Sequence, residues 1–122
     1  MAIDGDKLVD QSGACAIICL VNPDITYVAS IGDCHGIVLL KGTKQPEDIN
    51  IDHKPSNKTE YHRIISNGGK LIDFKKTGAR FFTSNHNRHG RIHPGNLNIT
   101  RTIGDAEAKI KKFGGLPNVI SC

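Results

Sequence analysis

NITRTIGDAEAK, at residues 98–109, is the most informative part of this 122-residue chain. Residues 97–102 are typical of a strand, and residues 105–112 are typical of a short helix that the glycines at 114 and 115 would end. Asp105 follows Gly104 at the start of this helix, where an aspartate normally accepts hydrogen bonds from free backbone N–H groups. We expect Arg101 to form a structural ion pair rather than to contact a substrate.

A hairpin is predicted in the first third of the chain. Residues 14–21 are a continuous apolar run, which favours a strand buried on both faces. The turn sequence Asn22-Pro23-Asp24 follows, and residues 25–31 form a second predicted strand. Two strands joined this closely should pair antiparallel. After Gly32 and Asp33, residues 36–41 predict a third strand that folds back.

One helix and one further strand are predicted in the middle of the chain. Residues 42–50 are polar and indicate a loop, and Pro55-Ser56-Asn57 offers candidates for a helix cap. Tyr61, Ile64 and Ile65 have roughly helical spacing, and the glycines at 68 and 69 would end the helix. Residues 70–74 predict a short strand, whereas residues 75–94 show no period. We therefore expect a single α+β domain over residues 1–122.

Composition limits the class of protein. Hydrophobic residues make up 38% of the chain and charged residues 23%, as in globular proteins, and no apolar run approaches the ~20 residues of a membrane-spanning helix. The formal charge of +4 permits an anionic ligand without requiring one. A basic run with two phenylalanines could contact nucleic acid, but we do not favour this interpretation. Its members are Lys75, Lys76, Arg80, Phe81, Phe82, Arg88 and Arg91.

The spacing of the cysteines and histidines does not favour a metal site. Cys15, Cys19, Cys34 and Cys122 have neither C-x-x-C nor zinc-ribbon spacing, and the polar N-terminus does not resemble a signal peptide. We therefore expect reduced thiols in an intracellular compartment, cytoplasmic or nuclear. His86, His89 and His93 could hold zinc only if a rigid turn brought them together, and the neighbouring asparagines and glycine favour a mobile loop instead.

Five blocks of the sequence occur in an informative order. They are Gly32-Asp33-Cys34-His35, Asp52-His53-Lys54-Pro55, the pattern Glu60, Arg63, Ile64, Gly68 and Gly69, residues 91–97, and residues 98–109. In this order they resemble the middle of a metal-dependent serine/threonine phosphatase of the protein phosphatase 2C type. The resemblance implies a partial β-sandwich of antiparallel strands with one or two flanking helices.

The resemblance also implies a chemistry. Enzymes of this type hold a pair of Mg²⁺ or Mn²⁺ ions among aspartates, and a metal-bound water attacks the phosphorus of phosphoserine or phosphothreonine. Asp33 matches an aspartate that helps to bind a further, looser metal ion. Other positions match family motifs with structural roles, and two arginines would lie in a variable loop near substrate. The positions with structural roles are Gly32, Asp52, His53, Arg101, Gly104 and Asp105. The two loop arginines are Arg88 and Arg91.

Departures from the family pattern limit the expected activity. The principal metal ligands of such enzymes lie in an Asp-Gly-His-Gly-like block upstream and in Ser-Asp-Gly and Asp-Asn blocks downstream, and these blocks do not occur in the 122 residues. Cys34 and His35 replace the usual serine and arginine. One carboxylate at Asp33 cannot hold Mg²⁺ tightly. We therefore expect no hydrolysis of phosphoesters by this chain alone.

Two hypotheses about function stay open. In the first, the chain is a fragment of a phosphatase whose substrates are phosphorylated proteins. In the second, it is a non-catalytic module derived from the same family that binds a protein partner or a phosphopeptide. Under either hypothesis, an incomplete sandwich leaves an apolar sheet surface open, so we expect a homodimer through that surface. Nucleic acid and membranes are not expected partners.

Overall fold

The computed structural model describes residues 3–4, 7–8, 10–73, 80–82 and 90–121, with the backbone alone described at 3–4, 7–8, 73 and 80–82. The strands in this part of the chain are β1 (Ile3–Asp4), β2 (Lys7–Leu8), β3 (Gly13–Ala14), β4 (Ala16–Val21), β5 (Thr26–Ile31), β6 (Ile37–Val38), β7 (Glu47–Asp48), β8 (Lys70–Asp73), β9 (Arg80–Phe82), β10 (Arg91–His93) and β11 (Ile103–Gly104). The α-helices are α1 (Lys58–Ser66) and α2 (Ala106–Lys109), and a 3₁₀ turn at Lys111–Phe113 follows.

The predicted hairpin is confirmed, but its predicted burial is wrong. β4 and β5 pair antiparallel with Ile18 opposite Ala29 and Leu20 opposite Tyr27. The side chains of Ile18, Leu20 and Val21 are nevertheless 66%, 65% and 75% exposed. The two strands pair only with each other in the described structure, and both of their faces keep exposed apolar side chains: Ile18 and Leu20 lie on one face and Val21 on the other. An apolar run predicts a strand well, but it cannot predict whether a second layer is present.

The third predicted strand is shorter than expected and has a different partner. Only β6 forms within residues 36–41, and it pairs with β7 from the predicted loop. The side chain of Asn50 holds this pair closed: its Oδ1 accepts from the Gly36 N–H at 2.8 Å, and its Nδ2 donates to the Cys34 carbonyl at 2.8 Å. This side-chain clamp spans 14 to 16 residues, so the local pattern could not predict it.

Helix α1 forms as predicted. The Oδ1 of its N-cap Asn57 accepts from the Thr59 N–H at 2.9 Å, which satisfies one of the free donors of the first turn. Gly68 follows the helix with φ at +82°, a conformation that glycine adopts without a steric penalty. Ile64 is fully buried and anchors the hydrophobic core. The other buried members of that core are Leu71, Ile92, Ala108, Val119 and Ile120.

A three-stranded antiparallel sheet of order β10-β8-β9 packs beside this core. The strand predicted at 70–74 is confirmed as β8, whereas β9 and β10 lie in the segment 75–94, for which no period was found. Three residues are too few to show a period of two. Residues 74–79 and 83–89 lie outside the described structure. They include Arg88, the histidines His86 and His89, and the lysines Lys75 and Lys76.

The strand predicted at 97–102 is wrong, and the helix predicted at 105–112 is shorter. The actual strand, β11, pairs antiparallel with β3. The residues before β11 form only isolated bridges, in which Leu97 pairs with Ile92 and Arg101 pairs with Ser121. At the second bridge, the Thr102 N–H donates to the Ser121 carbonyl at 2.9 Å. The helix breaks at Ile110, whose φ of −88° and ψ of 119° are extended.

The α+β class, with antiparallel strand pairs and two helices, is confirmed. None of the helices in the described residues has the length and apolar character needed to cross a membrane.

Candidate functional site

Asp33 lies immediately after β5, where the chain leaves the hairpin. Its Oδ1 accepts a hydrogen bond from the Cys15 thiol at 3.5 Å, and its Oδ2 lies 3.2 Å from the Nζ of Lys54. The side chain is 30% exposed. Burial of the Cys15 thiol, the largest cause, raises its pKa, so the thiol stays protonated and can donate to the carboxylate.

Lys54 connects Asp33 to Asp52. Its Nζ lies 3.0 Å from the Oδ2 of Asp52 as well as 3.2 Å from the Oδ2 of Asp33. Hydrogen bonds from the ammonium to Asp52 and then to Asp33 raise the pKa of Lys54. The two carboxylates therefore converge on one fixed positive charge, which reduces the repulsion between them.

The backbone around Gly32 positions Asp33. The Gly32 N–H donates to Nδ1 of His53 at 3.1 Å, and the His53 N–H donates to the Gly32 carbonyl at 2.9 Å. The block Asp52-His53-Lys54-Pro55 would suggest a local hydrogen bond for His53, but its partner Gly32 lies 21 residues away. Gly32 has φ at +85°, and a Cβ there would lie 2.2 Å from the Cys15 sulfur. This exchange of bonds joins the Gly-Asp block to the Asp-His-Lys-Pro block.

His35 extends the group of charged side chains toward β7. Its Nε2 lies 3.2 Å from the Oδ1 of Asp48, and its Nδ1 lies 3.9 Å from the Oδ1 of Asp52. An open cleft runs along these side chains and Asn50. Ile49 and Ile51 line the cleft beside these polar side chains, and Asp52 connects it to Lys54 and thereby to Asp33.

Glu60 on α1 is a buried carboxylate with several donors. Its Oε1 accepts from Nη2 of Arg101 at 2.8 Å, while its Oε2 accepts from Nη2 of Arg63 at 2.8 Å and from the Thr100 hydroxyl at 2.5 Å. The expected structural ion pair of Arg101 is thus present. Burial acts to raise the pKa of Glu60, but the hydrogen bonds from Arg101, Arg63 and Thr100 outweigh it and lower the pKa to about 2.

Arg63 carries this network to the C-terminal segment. Its Nη1 donates to the carbonyls of Asn118 at 2.6 Å and Val119 at 3.0 Å, and its Nη2 donates to the Thr100 carbonyl at 3.0 Å. One guanidinium therefore ties α1 to two separate segments. The Thr100 N–H also donates to the His53 carbonyl at 2.8 Å, which connects this network to the residues around Asp33.

Asp105 does not cap α2 with its side chain, contrary to expectation. Its backbone is left-handed with φ at 47°, its N–H donates to the Ser12 carbonyl at 2.9 Å, and its Oδ2 accepts from the Thr102 hydroxyl at 2.6 Å. The carboxylate thus turns back toward β3, where a Cβ at Gly13 would collide with it. Gly104 and Asp105 therefore contribute to the antiparallel pairing of β11 with β3.

The remaining predicted site residues lie apart from Asp33. Arg91 on β10 donates from Nη1 to the Asn96 carbonyl at 2.7 Å, and Arg88 lies outside the described residues. Gly32, Asp33, Asp52 and His53 form one cluster. The block Asp52-His53-Lys54-Pro55 by itself indicates no role for Lys54 in this cluster. The opposite charges two residues apart were visible in the sequence, but the contact with Asp33 was not.

The residues around Asp33 do not fit a tightly held divalent cation. Both carboxylate oxygens of Asp33 already have partners, and Lys54 places a positive charge 3.2 Å from one of them. Among the described residues, no group of three or more histidine, cysteine, aspartate or glutamate side chains is arranged to hold a metal ion. The accessory metal role of Asp33 stays a prediction.

Comparison with known proteins gives a consistent result. A family model described as "Protein phosphatase 2C" matches residues 2–122. The "Protein phosphatase 2C homolog 2" of Schizosaccharomyces pombe is 36% identical over 115 residues, which cover 93% of this chain and 25% of that protein. The "Probable protein phosphatase 2C 4" of Paramecium tetraurelia is 32% identical over 105 residues, which cover 86% of this chain and 29% of that protein.

A solved structure has a similar fold. It is titled "Structure of a C.elegans sex determining protein" and aligns with a TM-score of 0.61 at 26% identity, over 81% of this chain and 21% of that one. The chain thus spans less than a third of the length of these similar proteins.

Proposed function

Since the chain belongs to the protein phosphatase 2C family, we propose that it is the central part of a Mg²⁺- or Mn²⁺-dependent phosphatase that acts on phosphoserine and phosphothreonine in proteins. The observation that carries the proposal is the joining of three motif blocks around Asp33. Gly32 and His53 exchange hydrogen bonds, and the His53 carbonyl accepts from Thr100 in the third block. These contacts hold Asp33 at an exposed end of the hairpin.

By this proposal, residues 1–122 form one incomplete domain that provides scaffold and a single potential metal ligand. Asp33 would contribute one carboxylate oxygen to an accessory ion in a longer protein, while Glu60, Arg63 and Arg101 fix the elements behind it. The 122 residues alone are inactive, because hard divalent ions need several oxygen ligands and the described residues provide no such set.

The proposal also includes a location and partners. We place the protein inside the cell, in the cytoplasm or nucleus, and the free thiols of Cys15, Cys19 and Cys34 support this placement. Its protein partners would be phosphorylated substrates. A second copy of the chain would cover the apolar face of β4 and β5, which carries the exposed side chains of Ile18, Leu20 and Tyr27.

The test compares this chain alone with the same chain grafted into a longer relative. In the graft, it replaces the matching quarter of the Schizosaccharomyces pombe relative. We expect no Mn²⁺-dependent hydrolysis of a phosphothreonine peptide by the chain alone, and measurable hydrolysis by the graft. Asp33→Asn in the graft should raise the Mn²⁺ concentration required for half-maximal rate.

Two outcomes would contradict the proposal. Turnover by the isolated chain that Asp33→Asn abolishes would show that it builds a metal site without the usual ligands. A folded but inactive graft would show that the segment no longer supports catalysis, and the non-catalytic binding module would replace the fragment as the preferred function.

A further inference from the structure

We propose that Lys54 is an internal counter-cation that occupies the space between Asp33 and Asp52 and excludes divalent metal ions from that pair of carboxylates. The inference concerns cation binding alone. It applies to residues 1–122 alone, and its test does not measure phosphatase activity; in the longer protein proposed above, Asp33 would contribute to an accessory ion only after Lys54 had moved away from it.

The geometry is that of a single cation bridging two carboxylates. The Nζ of Lys54 lies 3.2 Å from Asp33 Oδ2 and 3.0 Å from Asp52 Oδ2. The three side chains are between 30% and 38% exposed, so water screens their interaction less than it would on an open surface. A metal ion that bridged the same two oxygens would have to displace the ammonium.

Two effects favour the Lys54 ammonium over a divalent metal ion between Asp33 and Asp52 in the isolated chain. A divalent ion that approached Oδ2 of Asp33 or Asp52 while Lys54 stayed in place would lie a few ångströms from the ammonium and would be repelled by it. Lys54 is also covalently attached, so it binds without the loss of translational freedom that a free ion suffers.

The backbone keeps Lys54 in place. The His53 N–H donates to the Gly32 carbonyl at 2.9 Å, and the Asn57 N–H donates to the Lys54 carbonyl at 2.9 Å. The residue is therefore fixed on both sides, between the Gly32 loop and the start of α1. The Lys54 side chain therefore starts from a fixed backbone position, from which its ammonium contacts both Asp52 and Asp33.

The prediction is that loss of the Lys54 charge creates a divalent cation site. In Lys54→Gln, an amide replaces the ammonium, and both carboxylates lose their counter-charge. We expect the affinity for Mn²⁺ to rise by about tenfold or more, which is the scale of one unit charge removed a few ångströms from a divalent ion in a partly solvated site.

The measurement is a titration of the 122-residue chain with Mn²⁺, in which electron paramagnetic resonance records the free ion. Lys44→Gln is the matched control, because it removes the same charge from an exposed position in the loop between β6 and β7. The double variant Lys54→Gln/Asp33→Asn should lose the gain. Circular dichroism of each variant verifies folding, and Lys54→Met provides a second uncharged replacement.

The expected thermal result is independent of the titration. Without metal, Lys54→Gln should melt below the wild-type chain because Asp33 and Asp52 then repel each other, and Mn²⁺ should restore part of the loss. Equal Mn²⁺ affinity in Lys54→Gln, Lys54→Met and Lys44→Gln would overturn the inference. A gain that persists in the double variant would also overturn it, since the new site would then lie elsewhere.

Discussion

The guanidinium of Arg101 donates hydrogen bonds to the carboxylate of Glu60, which lies 41 residues earlier in the sequence. Nη2 donates to Oε1 at 2.8 Å, and Nε lies 3.2 Å from both carboxylate oxygens. The glutamate is 3% exposed, and Arg63 and Thr100 complete its set of donors. Charge-assisted hydrogen bonds of this kind are shorter and stronger than neutral ones. The pair therefore ties helix α1 to the segment that leads into β11.

Glu60→Ala should destabilise the chain strongly. It leaves the partly buried guanidinium of Arg101 without its carboxylate acceptor and Arg63 with backbone carbonyls alone, and breaking such a buried pair typically costs about 3–5 kcal/mol in the free energy of unfolding. Urea unfolding followed by circular dichroism measures this loss. Glu47→Ala on the exposed strand β7 is the control and should change the free energy by less than about 0.5 kcal/mol. Similar losses in both variants would show that the network contributes no special stability.

Stability should fall in acid through the titration of Glu60. Its folded pKa of about 2 lies below the ordinary value of 4.5, so its contribution is complete above pH 4.5 and is lost as the pH falls from 4.5 toward 2. The full contribution is about 3 kcal/mol, at 1.36 kcal/mol for each pKa unit. Unfolding at several pH values should show a shallower acid slope in Glu60→Gln. Identical slopes in the two proteins would contradict the assigned pKa.

Gly32→Ala should cost more than Gly42→Ala. Both glycines have positive φ, +85° and +88°, and a side chain at either position pays about 1–2 kcal/mol for that conformation. Only at Gly32 would the new Cβ also meet a neighbour, the Cys15 sulfur at 2.2 Å. We expect a further loss of about 1–3 kcal/mol from this overlap.

The same unfolding measurement applies to both glycine variants. Cys15→Ala in the Gly32→Ala background should recover part of the extra loss, since it removes the colliding sulfur. Equal losses at Gly32 and Gly42 would mean that the close approach of Gly32 to Cys15 is not a constraint on the fold.

The apolar face of β4 and β5 should drive self-association. Ile18 and Leu20 expose about two thirds of their side chains at 66% and 65%. Leu20→Lys should lower the mass measured by light scattering toward that of a monomer and should reduce its dependence on concentration. Ile51→Lys, at an equally exposed position off the hairpin, is the control and should leave the mass unchanged. A monomeric wild-type chain at all concentrations would exclude the homodimer.

The sequence predicted those elements whose signals are local. The hairpin of β4 and β5 follows from two apolar runs around Asn22-Pro23-Asp24, and α1 follows from its cap at Asn57 and its glycine stop. The failures have a common physical cause. The true extent of β6 depends on Asn50, and the position of β11 depends on β3, about ninety residues earlier; no local pattern carries such information.

The same division applies to the candidate site. Sequence motifs predicted a metal-ligand position at Asp33 and structural positions at Asp52 and His53. The residues around Arg101 predicted its ion pair. They did not predict the bridge made by Lys54, because that contact requires the loop after β5 to meet the start of α1. The cap expected at Asp105 is absent because the Thr102 hydroxyl engages its carboxylate. Such competition between partners is decided only by three-dimensional placement.

The reach of Arg63 has a consequence for the order in which the chain can fold during its synthesis. Its carbonyl partners Asn118 and Val119 lie 55 and 56 residues later in the sequence, and Arg101 lies 41 residues after its partner Glu60. A ribosome therefore completes α1 before Arg101 and the carbonyl groups of Asn118 and Val119 have been made. Helix α1 has its own local cap, but we expect it to reach its final packing only after these residues have been synthesised, because the contacts close loops of 41 to 56 residues.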